Sequence, residues 1–181
     1  PGRAKVMGAI QADKDAAIER LRAWIALPTV ANMGLNTPQG AEYMKQQYLM
    51  LIDRAFNRGD YSVVHDVIAA EYEVYDPGLP RRHGPEGVIA TVDEMRRAFA
   101  GFRYDVVGLV AEGNLLAARW YVTGRHIGSY RGLEPSDGQR TFRVLGMSFN
   151  RFEKGLIVEG HIVWDTKGFM EQLTLPQGAK L

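Results

Sequence analysis

Two aspartates stand where strand-like segments stop. Asp76 follows Glu73-Val-Tyr75 and precedes Pro77-Gly78, and Asp165 follows Trp164 in the segment Leu156–Thr166. Two histidines lie within strand-like segments, His126 at the end of Leu115–His126 and His161 in Leu156–Thr166. Aspartate and histidine are side chains of general acid–base catalysis, able to take a proton from, or return one to, a carbon beside a carbonyl. A carboxylate at the mouth of an apolar pocket loses part of its hydration, which disfavours its charged form and makes it a better base. Each residue also has a plainer use. Asp before Pro forms turns, Asp ahead of Lys167-Gly-Phe169 can cap a helix, and a histidine can simply be structural. Strand alternation puts Glu159, His161, Val163 and Asp165 on one face, and Trp120, Val122, Gly124 and His126 on another. Four strand residues span about 13 Å, so His161 and Asp165 would hold opposite ends of one substrate rather than bond each other.

Other chemistries find little support. The chain of 181 residues has 22 basic and 21 acidic side chains, a net charge of +1, so no large positive field collects nucleic acid or anionic membrane. Zero cysteines exclude disulfides and a thiolate nucleophile, and suit a reducing cytoplasm. No apolar run approaches the ~18 residues of a membrane span, and the first residues lack the layout of a signal peptide. There is no glycine-rich phosphate loop, no Gly-x-Ser-x-Gly elbow and no local metal-ligand spacing, so neither cofactor nor metal is expected.

The elements that must position these groups follow from periodicity and punctuation. Asp13–Leu27 carries Ile18, Leu21, Trp24 and Ile25 at helical spacing, and Pro28–Gly40 reads as a loop. Thr37-Pro38 predicts the start of a long helix whose apolar face is Met44, Tyr48, Leu51, Ile52, Ala55 and Phe56. A short helix is expected over Tyr61–Ala69, capped by Asp60, and a third from Gly84 with the stripe Val88, Val92, Met95, Phe99. Beyond Gly101 the chain turns to strands: Tyr104–Ala111, Leu115–His126, Gln139–Glu153 and Leu156–Thr166, with glycine turns at Glu112-Gly-Asn114 and Glu153-Lys-Gly155. A last helical turn is expected over Lys167–Leu173. Helices first and an antiparallel meander later make an α+β fold.

Four stretches, in order, resemble the SnoaL-like polyketide cyclase branch of the nuclear transport factor 2-like superfamily. They are Phe56-Asn-Arg-Gly-Asp60; Tyr75-Asp-Pro77 with His83-Gly-Pro-Glu-Gly87; Arg119-Trp-Tyr-Val-Thr-Gly-Arg-His126 with Gly128-Ser-Tyr-Arg-Gly-Leu133; and Arg151-Phe-Glu-Lys-Gly-Leu-Ile-Val-Glu159 with Trp164-Asp165. The resemblance implies a cone-shaped roll of three helices on a curved, mostly antiparallel sheet over residues 41–175. Residues 1–40 are then a helical extension, a lid or dimer contact, and residues 176–181 a tail.

The resemblance also implies roles. Asp76 aligns with the catalytic base of the related ketosteroid isomerases, and Asp165 with the acid–base aspartate of the cyclases; His126 and His161 would orient substrate or carry protons. The positions of the isomerases' tyrosine and protonated aspartate read Ile52 and Ser148 here, which argues against steroid isomerisation. Tyr48, Tyr75 and Ser148 are the candidate replacement donors. Trp24, Phe99, Trp120 and Met147 join them as the expected aromatic and apolar lining. The expectation is a cofactor-independent acid–base enzyme acting on a small hydrophobic aromatic or polycyclic carbonyl compound, by aldol-type cyclisation, isomerisation, or elimination and retro-aldol cleavage. It would be a cytoplasmic homodimer or higher homo-oligomer. The alternatives are a non-catalytic ligand-binding or dimerisation module of the same fold, and an epoxide hydrolase-like enzyme whose aspartate activates water.

Overall fold

Thr37 opens the first helix by accepting a hydrogen bond on its side chain from the Gly40 amide at 3.2 Å, with Pro38 in the first turn where no amide is needed. This helix, α1 (Pro38–Leu51), runs on through a π-helical segment, Ile52–Asn57. A computed structural model describes residues 37–78, 81–136 and 140–174; Trp24, the rest of the N-terminal segment and the tail lie outside the described residues. The Asn57-Arg-Gly-Asp60 stretch closes the helix. The Asn57 amide accepts from the Tyr104 backbone N–H at 2.7 Å and donates to the Tyr104 carbonyl at 3.0 Å, replacing a missing strand partner. Gly59 takes the left-handed backbone, φ 73°. Asp60 then caps the next turn by accepting from the Ser62 amide.

A one-turn 3₁₀ segment, Tyr61–Val63, leads into α2 (Val64–Val67), then β1 (Ile68–Tyr75). The helix is shorter than the sequence suggests, because Ile68 already pairs with Ile157 in the sheet. Next come α3 (Gly84–Ala98), β2 (Phe99–Glu112), β3 (Leu115–His126), β4 (Thr141–Glu153), β5 (Leu156–Trp164) and α4 (Thr166–Thr174). Phe99, expected on the α3 stripe, is instead the first residue of β2 and pairs with His126. A register shift between Ala100 and Arg103, with Gly101 at φ 62°, lets the strand begin before Tyr104.

The strands form one sheet in the order β1-β5-β4-β3-β2, antiparallel except for the β1–β5 pair. With the helices on its curved inner face this is the α+β roll. Strand β4 alternates without a break, its buried residues being Phe142, Val144, Gly146, Ser148, Asn150 and Phe152. Gly146 is required by a close approach. A Cβ there would lie 2.1 Å from the Trp120 ring, so only glycine lets the indole lie flat on β4. Among the described residues, no helix is long and apolar enough to cross a membrane.

Candidate active site

The helices and the inner sheet face enclose a cavity of about 130 Å³. An engineered apolar cavity of about 150 Å³ takes benzene, so the enclosed space suits about one aromatic ring. Leu51, Ile52, Val88, Val122, Val144 and Ile162 supply its apolar wall. Polar groups enter at few points, and Asp76 is the one carboxylate among the lining residues.

Asp76 sits just past the end of β1, half-buried. Its Oδ1 accepts two hydrogen bonds, from the Gly78 amide at 2.8 Å and from Trp164 Nε1 at 2.9 Å. The first is the local turn that Asp-Pro-Gly favours. The second fixes the carboxylate to β5, 88 residues on. Trp164 is itself wedged in place, because a Cβ on Gly78 would come within 2.4 Å of its ring, and Phe169 of α4 packs edge-on against it at 5.3 Å. With Oδ1 occupied twice, Oδ2 has no hydrogen-bond partner among the described residues. Turn-former and pocket carboxylate are thus the same residue.

A chain of hydroxyls stands elsewhere in the cavity wall. Tyr48 Oη lies 3.1 Å from Tyr104 Oη and 3.1 Å from Ser148 Oγ, and Asn150 Nδ2 donates to Ser148 Oγ at 3.3 Å. Burial pushes the Tyr48 and Tyr104 phenols above their ordinary range, so both keep their protons at neutral pH. Three hydroxyls carry three hydrogens, and the two bonds that link them use two. The third O–H can turn either to close the Tyr104–Ser148 contact or to a ligand oxygen. Burial also raises the Tyr72 phenol, the nearby Tyr48 and Asp76 adding to it.

The remaining expected site residues lie elsewhere. Asp165 is exposed and is not among the lining residues; its Oδ1 accepts from the Gly168 amide at 2.8 Å, which makes it the N-cap of α4. His161 shares that outer face. It stacks on Tyr75, centroids 4.6 Å apart, and hydrogen-bonds Glu159 at 2.6 Å. That bond, followed by those from Arg151, holds the Glu159 carboxyl below its usual range. Tyr75 is exposed and donates to Glu73. Alternation groups these residues correctly, but Ile162 and Trp164 take the inward side of β5 and turn His161 and Asp165 away from the cavity. Met147 likewise points outward from β4, 50% exposed. His126 and Phe99 are fully buried, packed on each other at 5.4 Å within the Phe142–Phe169 cluster, and neither lines the cavity. Neither ring nitrogen of His126 has a hydrogen-bond partner among the described residues.

The cavity therefore unites Asp76, Tyr48, Trp120 and Ser148 from the expected set, and adds Tyr72, Tyr104, Asn150 and Trp164. Asn150 had a signal, standing two residues beyond Ser148 on an alternating strand. Among the described residues no group of three or more His, Asp and Glu side chains could hold a metal ion.

Comparison with known proteins agrees with this architecture. The family model of the SnoaL-like polyketide cyclases matches residues 46–173. A SnoaL-like protein of Jannaschia sp. CCS1 superposes with a TM-score of 0.70 at 18% identity, over 79% of this chain and 99% of that one. TsrD from Streptomyces laurentii superposes at 0.65 with 25% identity, over 74% of this chain and 96% of its own. An LEH-like epoxide hydrolase of M. tuberculosis shares the fold at 0.58 and 11% identity, over 74% and 91%. No functionally curated protein matches the sequence.

Proposed function

The chain belongs to the SnoaL-like polyketide cyclase family, and from that premise we propose that it is a cofactor-independent acid–base enzyme acting on a small aromatic or polycyclic carbonyl compound. Asp76 is the base. The observation that carries this reading is the state of its two oxygens: Oδ1 is fixed by Trp164 and Gly78, and Oδ2 is unengaged among the described residues, in a wall otherwise mostly apolar. A base held in one orientation spends no entropy finding it during the reaction.

The steps follow from the placement of donors. The substrate's reacting ring enters the cavity, with any further rings at the mouth. Its carbonyl oxygen accepts the spare O–H of the Tyr48–Tyr104–Ser148 chain. Asp76 Oδ2 takes a proton from the adjacent carbon, the C–H electron pair becomes the C=C of an enolate, and the negative charge moves to the oxygen. The hydroxyl bond strengthens as that charge develops, which lowers the barrier. Attack of the enolate carbon on a second carbonyl of the same molecule forms the new C–C bond of an aldol cyclisation. The alkoxide so formed is protonated from Asp76, and the base is regenerated. Reprotonation at a different carbon would give isomerisation by the same groups. Asp165, His126 and His161 have no part in this scheme.

Screening aryl ketones and polyketide-like 1,3-diketones for conversion, with Asp76→Asn and Tyr48→Phe beside the wild type, tests the reading. Conversion that both substitutions depress supports it; conversion that survives intact in Asp76→Asn refutes it.

A further inference from the structure

Two polar groups of the cavity lining are left unused by these steps, Trp120 Nε1 and the Tyr72 hydroxyl, and the second has a polar neighbour. Tyr72 is 6% exposed and lines the cavity, yet its hydroxyl has no hydrogen-bond partner among the described residues. The oxygen keeps its access to the cavity, where a ligand or water can complete it. Facing it is Asn150, 5% exposed. Its Nδ2 is committed to Ser148 Oγ, which turns Oδ1 away from that bond. Between them lies Gly160, paired with Asn150 across the β4–β5 ladder. A Cβ on Gly160 would lie 2.5 Å from Tyr72 Oη and 3.4 Å from Asn150 Oδ1. The glycine thus makes the space in which these two polar atoms approach one another.

We propose that Tyr72 and Asn150 form a second polar subsite, selective for a hydroxyl group on a ring whose carbonyl is bound by the Tyr48–Ser148 chain. This rests on the cavity being the ligand site, as proposed above. The chemistry selects a hydroxyl because Tyr72 offers an O–H and Asn150 Oδ1 offers a lone pair. A phenol or enol O–H satisfies both at once, accepting from Tyr72 and donating to Asn150. A second carbonyl would satisfy only Tyr72, and a bare ring neither. The two subsites meet at Asn150, whose amide touches both, so the ligand's two oxygens belong to one ring or to neighbouring carbons. The preferred substrate class is therefore a hydroxyaryl ketone or an enolised 1,3-diketone.

The test is binding, measured by NMR titration of acetophenone and its three hydroxy isomers. The wild-type protein is expected to bind its best hydroxy isomer about ten-fold tighter than acetophenone, as one well-formed hydrogen-bonded subsite allows. Tyr72→Phe removes the donor and keeps the ring, so it should reduce the preference to less than about two-fold while acetophenone itself binds as before. Tyr72→Phe should also melt no lower than the wild type, because its lost hydroxyl has no hydrogen-bond partner among the described residues. Equal binding of all four probes to the wild type would overturn the proposal. So would a preference that survives Tyr72→Phe, or a melting temperature that this substitution lowers by more than about 5 °C. Deprotonation by Asp76 plays no part in these affinities, so this proposal and the catalytic reading fail separately.

Discussion

Replacing Tyr48 by Phe removes one oxygen from the middle of the hydroxyl chain and keeps the ring. Tyr48 is 4% exposed, and its hydroxyl bonds both Tyr104 and Ser148. Two bonds vanish, each worth about 1 kcal/mol net. The cost does not stop there, because Tyr104 Oη keeps only its weaker interaction with Ser148, and a poorly satisfied buried hydroxyl carries a penalty of about 1–3 kcal/mol. Ser148 keeps Asn150 and loses less. Since the two descriptions overlap, the expected loss is about 2–3 kcal/mol, equivalent to roughly 5–10 °C in melting temperature for a domain of this size. Thermal melting by circular dichroism reads it directly. Tyr104→Phe alone removes a terminal hydroxyl and should cost less than Tyr48→Phe. The double variant should cost no more than Tyr48→Phe alone, since the stranded hydroxyl is then gone. Additive losses in the double variant, or a Tyr48→Phe protein that melts within about 2 °C of the wild type, would refute the linked chain.

Three further outcomes follow from the geometry. Asp165→Ala should cost about 1 kcal/mol through loss of the α4 cap and leave the rate constant of any activity intact, as melting and steady-state kinetics will show. Gly146→Ala forces the Trp120 ring off β4, and an overpacking cost of about 1–3 kcal/mol should appear as a lowered melting temperature together with weakened binding of aromatic ligands. The Asp60 carboxyl is held down to about 2, from an ordinary value of 3.8, first by the Ser62 hydroxyl and then by Arg54. A carboxyl depressed on folding stabilises the fold above its unfolded value and loses that contribution as pH falls toward about 2. The stability gap between wild type and Asp60→Asn should therefore be full at pH 6 and shrink between about pH 4 and pH 2, measured by urea titration at each pH.

Much of the fold was legible because its signals are local. The Thr37-Pro38 start, the Asp60 cap, the glycine turns at Gly113 and Gly155, and the unbroken alternation of β4 each depend on a few neighbouring residues. The site was legible in part. Asp76 stood out by its place after a strand, and Tyr48 by its place on the apolar face of α1. Which face of β5 points inward was not legible. Ile162 inside and Val163 outside are both large and apolar, so hydrophobic alternation does not choose between the two faces. That ambiguity placed His161 and Asp165 on the wrong side of the sheet. The same limit hides Trp164 as the partner of Asp76, a contact between residues far apart in the chain. Phe99 was assigned to a helix it only follows, because a bulge at Gly101 has no counterpart in simple periodicity.

The proposed chemistry stands or falls on whether Asp76 removes a proton from carbon beside a carbonyl held in the cavity. Hydrogen–deuterium exchange tests this without knowledge of the final product. An aryl ketone or cyclic 1,3-diketone that binds the protein is incubated in D₂O, and loss of its α-proton signal is followed by NMR. Exchange should be accelerated by the wild-type protein, with a rate roughly 10²–10⁴-fold lower in a folded Asp76→Asn variant that still binds the ligand. Equal acceleration by the two proteins would contradict the assignment of Asp76 as the base.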